Sequence, residues 1–143
     1  AFAPRRGVSS GLASAQRRPT MRVPPEEFEA LVEHALANLP DEFKAALDNV
    51  AVMIAEEPSD EDLEEVGIDP DDPDRDELFG LYQGTPLTER DSFYSALPDR
   101  VLIYRGPILR ECTSRREVMR EVRETVQHEL GHYFGMEEDD LPF

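Results

Sequence analysis

The residues of this sequence best suited to chemistry are clustered near its end, in the run His128-Glu129-Leu130-Gly131-His132. Two histidines four apart project from one face of a helix one turn apart, so their imidazole nitrogens can converge on a single metal ion at about 2.0–2.1 Å. Glu129 lies about 100° further round the helix, which places it beside the ion rather than on it. This is the spacing of a hydrolytic zinc site, with two nitrogen ligands and a carboxylate placed to take a proton from a metal-bound water. The competing reading has the imidazoles merely complementing the dipole at a helix C-terminus. It accounts for neither the intervening glutamate nor the acids that follow.

A zinc of this kind needs a third protein ligand and an open position for water. Gly135-Met136-Glu137-Glu138-Asp139-Asp140 comes directly after the motif. There a glycine allows the chain to reverse and return a carboxylate toward the ion. Geometry alone does not choose among the four acids.

Several elements must position this motif. Ser114-Arg115-Arg116-Glu117 is a capping-box sequence, so a helix is expected to start near Arg115. Val118, Val122, Val126, Leu130 and Phe134 follow at steps of four, joined by Met119 and Tyr133, and Gly135 ends the helix. Upstream, Phe28, Leu31, Val32, Ala35, Leu36 and Leu39 recur at helical spacing between Pro24-Pro25 and Pro40, which predicts an amphipathic N-terminal helix. His34 on that helix is assigned no role. A short helix is expected over Asp41 to Leu47. The uncharged run Val50 to Ala55 then reads as a strand buried on both faces. Leu78 to Tyr82 and Arg100 to Tyr104 are further strand candidates, with Gly80, Gly84, Pro98-Asp99 and Gly106-Pro107 as turn signals. Few strands followed by a terminal helix predict an α+β fold with a small mixed or antiparallel sheet.

Composition narrows the classes. With 143 residues, 39% hydrophobic and 33% charged, one globular domain is expected over residues 21–143. Residues 1–20 contain no acid and are rich in Arg, Ser, Ala and Gly, which predicts a disordered N-terminal extension. A formal net charge of −17 argues against nucleic acid or an anionic membrane surface as partner. No apolar run approaches the roughly 20 residues that span a bilayer. Cys112 is the only cysteine, so no internal disulfide can form and a reducing, cytoplasmic setting fits. Glu56 to Glu77 holds thirteen acids against Arg75 alone and reads as a solvated loop. The cluster Asp69, Asp71, Asp72 and Asp74 lacks the glycine and closing glutamate of a calcium loop.

The segment HELGHYFGMEEDDL resembles the extended HExxHxxGxx(H/D) motif of metzincin-like peptidases, including the snapalysin-type enzymes with an aspartate third ligand, and reads here as HExxHxxGxx(D/E). Together with LFGLYQGTPLTER and ALPDRVLIYRGPIL, it resembles more closely the minimal bacterial zincin-like metallopeptidases, a family formerly classed as a domain of unknown function. The resemblance implies a zincin-like α+β fold in which the sheet packs on an N-terminal helix and a C-terminal zinc-binding helix. It implies that His128 and His132 are zinc ligands, Glu129 the general base and Glu138 the third ligand. That last position is typically aspartate in the pattern, so Asp139 is a rival. The residues after the helix contain no counterpart of the methionine turn of full metzincins. The function implied is zinc-dependent hydrolysis of peptide bonds in a peptide or protein substrate. The alternative is a non-catalytic zinc-containing module that binds a peptide or protein on the same core. Leu81-Tyr82-Gln83 is a candidate for pairing with an extended peptide, and Tyr82, Tyr94 and Tyr104 are candidates for an oxyanion donor. The sequence leaves the oligomeric state open.

Overall fold

The structure, a computed structural model, describes residues 21–73, 77–84 and 99–135. The expected N-terminal extension (1–20), Tyr94, and the two candidates for the third ligand, Glu138 and Asp139, lie outside them.

Pro24 leads into helix α1 (Pro25–Ala37), where a proline at the first position presents no wasted N–H. The helix buries Phe28, Val32 and Ala35. Helix α2 (Asp41–Ala46) buries Phe43 and Ala46. Strand β1 (Val50–Ala55) follows, then helix α3 (Asp60–Glu65), strand β2 (Gly80–Gln83), strand β3 (Asp99–Tyr104), helix α4 (Arg105–Glu111) and the long helix α5 (Arg115–Tyr133). The three strands form a mixed sheet in the order β1-β3-β2. β1 runs parallel to β3, with Val50 opposite Asp99 and Ala55 opposite Tyr104. β2 runs antiparallel to β3, with Gly80 opposite Ile103 and Gln83 opposite Arg100. This is the expected α+β class.

Alternation along the central strand divides the core in two. Val101 and Ile103 face the main cluster, where Phe28 and Val32 of α1 meet Val118, Val122, Val126 and Leu130 of α5, each of these α5 side chains being 0% exposed. Leu102 and Tyr104 face a smaller cluster with Leu63, Leu78 and Leu81. β3 is therefore buried on both faces, and so is β2 at Leu81 and Tyr82, which face the smaller and the main cluster. β1, expected to be so, is an edge strand among the described residues: Met53 is 46% exposed and Ile54 37%.

Two helices correct the sequence reading. The acidic stretch expected as a loop contains α3, started by a full capping box in which Ser59 Oγ accepts the Asp62 N–H at 3.0 Å and Asp62 accepts the Ser59 N–H at 3.5 Å. Leu63 of α3 is 0% exposed and covers the second face of the sheet. Gly106-Pro107, expected as a turn, lies in the first turn of α4, where a missing proline N–H is harmless. Among the described residues no helix is long and apolar enough to cross a membrane.

Candidate metal centre

Helix α5 begins at the expected place, but its cap differs from the reciprocal box. Ser114 Oγ accepts the Glu117 N–H at 3.1 Å. Glu117 turns instead to Thr113, accepting its N–H at 2.6 Å and its hydroxyl at 3.0 Å. At the far end Phe134 caps the helix, and Gly135, at φ +86°, donates its N–H to the His132 carbonyl at 2.9 Å. This is the left-handed glycine stop that the sequence indicated.

Between these ends α5 carries two stripes. The apolar one, Val118-Val122-Val126-Leu130, packs into the main core. One residue behind it runs a polar stripe, Glu121, Thr125 and Glu129, with His128 alongside; these are 3%, 0%, 0% and 6% exposed. Apart from Asp99 at 2%, they are the buried polar and charged residues of the described chain. Buried polar groups require partners. Thr125 donates its hydroxyl to the Glu121 carbonyl at 2.6 Å. Glu129 Oε1 accepts the backbone N–H of Tyr82, on edge strand β2, at 2.6 Å.

The structure brings His128, Glu129 and His132 together: each offers one ligand atom, and these atoms all lie within 4.8 Å of one another. The two imidazole rings meet edge to face, their centroids 5.2 Å apart at 78°. His132 is half-buried, and His128 and Glu129 are buried. The two imidazoles are nitrogen donors of the kind that bind zinc and other divalent ions, and Glu129 stands beside them. By chemistry and by reach this group could hold a metal ion.

Sequence reasoning missed the residues that bring β2 to this helix. A Cβ on Gly80 would lie 2.4 Å from Thr125 Cγ2 and 2.9 Å from the Leu102 carbonyl oxygen. Only a glycine lets the strand approach α5 so closely. Tyr82 is held further by its hydroxyl, which donates to Asp99 Oδ2 at 3.0 Å, and by an edge-to-face contact with Tyr133, centroids 6.2 Å apart. The one available signal was the polar residue recurring just before each apolar position of α5. Of the oxyanion candidates, Tyr104 faces the second cluster and donates its hydroxyl to Asp62 at 2.8 Å. The Tyr82 N–H, on the strand expected to pair with a peptide, is directed at Glu129.

Comparison with known proteins adds three findings. No curated protein matches the chain. A conserved hypothetical protein from Thermo thermophilus has a similar solved structure, at 26% sequence identity and a TM-score of 0.48, with 77% of this chain and 92% of that one covered. The family described as zincin-like metallopeptidase matches residues 47–142, a span that takes in the three described strands and the whole helix bearing the two histidines; the chain belongs to that family.

Proposed function

We propose that the protein is a zinc-dependent metallopeptidase that hydrolyses peptide bonds in a peptide or protein substrate, in a reducing cytoplasmic setting and without nucleic acid or membrane as partner. One observation carries this reading: the ligand atoms of His128, Glu129 and His132 lie within 4.8 Å of one another on one helix. His128 and His132 hold the ion, with Glu138 as the third ligand and Asp139 as its rival. When held there, zinc would lower the pKa of a water to about 7 and would polarise the scissile carbonyl. Glu129 serves as general base, taking a proton from the attacking water and returning it to the departing amine. Its carboxylate is steadied for this by the Tyr82 N–H.

The test is metal content together with cleavage. Purified protein is expected to hold close to one zinc per chain, to lose it in His128→Ala, and to cleave members of a broad peptide library. Glu129→Gln is expected to keep the zinc and lose cleavage by about 100-fold or more. A metal-free wild type removes the reading. Stoichiometric zinc without cleavage of any library member favours the non-catalytic zinc-containing binding module instead.

A further inference from the structure

We infer that edge strand β2 is a positioning strand for Glu129, acting through the Tyr82 backbone N–H, with Gly80 and Asp99 setting where that N–H lies. The inference rests on the peptidase reading above and names the device that aims its base.

The geometry is a register between a strand and a helix. Gly80 lies over Thr125, with no room for a Cβ between them, and Tyr82 meets Glu129. Two strand residues advance about 6.8 Å, and four helical residues advance about 6.0 Å. The two pairs thus match when the strand runs beside the helix axis. The register is closed at both ends of the pairing. At Gly80 the contact is steric, and one of its walls is the Leu102 backbone carbonyl of the central strand, which cannot swing away. At Tyr82 the side chain is anchored to Asp99 on β3 and against Tyr133 on α5, one residue beyond His132.

Strand alternation explains why a backbone N–H is available. Tyr82 stands opposite Val101 on β3, yet its N–H points away from β3 to the helix. An outward N–H on an edge strand is normally left to solvent or to another chain. Here it is given to the carboxylate. A backbone donor on a packed strand cannot change rotamer, so it fixes one oxygen of Glu129 more firmly than a side chain would. A misplacement of about 1 Å at a reacting group lowers rates by about 100-fold, so the strand's height above the helix bears directly on turnover. Tyr82 is in this sense a positioning residue, and Gly80 acts through it.

Amide hydrogen exchange and kinetics test the inference together. In the wild type the Tyr82 amide is expected to exchange at least about 100-fold more slowly than an open edge amide, and to lose that protection in Glu129→Ala. Because Glu129 is fully buried, Gly80→Ala provides a second arm that keeps the carboxylate and lifts the strand. Gly80→Ala is expected to free the Tyr82 amide, to retain its zinc, and to lower kcat about 10- to 100-fold with KM nearly unchanged. Thr125→Ser in the Gly80→Ala background removes the methyl in the way, keeps the hydroxyl bonded to Glu121, and is expected to restore part of kcat. A wild type that cleaves peptides while its Tyr82 amide exchanges freely overturns the positioning strand alone. So does Gly80→Ala with full kcat and a freed amide. A wild type that binds zinc, protects this amide and cleaves nothing overturns the peptidase reading, and with it the catalytic meaning of the contact.

Discussion

Two glycines at matched helix ends allow the metal reading to be separated from simple stability. Gly135 follows α5 at φ +86°, and Gly67 follows α3 at φ +80°. Each donates its N–H back to the helix it ends, Gly135 to His132 at 2.9 Å and Gly67 to Glu64 at 3.0 Å. An alanine in the left-handed region is strained by about 1–2 kcal/mol. A stiffer unfolded chain offsets about 0.4–1 kcal/mol of this, which leaves about 1 kcal/mol of net destabilisation. At Gly67 no atom lies within 4 Å of an added Cβ, so the backbone term stands alone there. With 143 residues at about 2.1 cal/mol/K each, the unfolding entropy is about 0.3 kcal/mol/K, and each variant should melt about 3 °C lower. The two should part in metal affinity. Strain at position 135 is relieved by unwinding the turn that carries His132, and zinc binding must rewind it, so Gly135→Ala should bind zinc about fivefold more weakly. Gly67→Ala should bind as the wild type does. Calorimetry and competition with a chromophoric chelator measure both quantities. Equal zinc affinity in the two variants, at equal losses of melting temperature, would refute the link between this helix stop and the site.

Leu63 is 0% exposed beneath the sheet, and Leu63→Ala should destabilise the protein by about 2–5 kcal/mol in denaturant titrations. By contrast Met53→Lys, on the open edge strand, should change stability by no more than about 0.5 kcal/mol; a large loss there would mean that β1 is covered after all. Burial, and then the hydrogen bond to Asp62, raise the Tyr104 phenol above its ordinary value of 10.0. A raised pKa means that stability is intact below the unfolded value and lost as pH climbs past it. The wild type should therefore weaken above about pH 10, and Tyr104→Phe should flatten that alkaline limb in melting curves.

The helices were legible where local signals agreed. Prolines flank α1, and an apolar stripe runs from a Ser-x-x-Glu start to a glycine stop in α5. What failed depended on distant partners. The run Val50–Ala55 has the same uncharged composition whether one face or both are covered, and only its place at the sheet edge leaves Met53 and Ile54 exposed. In α3 the acids masked a helix that needs just one core residue, Leu63, because its task is to cover a single face of a three-stranded sheet. Gly106-Pro107 was read as punctuation, although a proline in a first helical turn breaks no hydrogen bond.

The site divides along the same line. The spacing of His128 and His132 is a property of one helical turn and could be read without any tertiary information. One partner of Glu129, the Tyr82 N–H, stands 47 residues away in sequence, and nothing in the local pattern points to it. Burial makes that partner necessary. Because Glu121, Thr125 and Glu129 each precede by one residue a position that the core must bury, packing Val122, Val126 and Leu130 carries them out of water as well. A carboxylate so placed is unfavourable unless a donor reaches it. Here one donor comes from a strand close enough to touch the helix, which is what the missing side chain of Gly80 permits. The glycine, the strand register and the buried glutamate thus form one physical requirement, distributed over segments that local periodicity cannot connect.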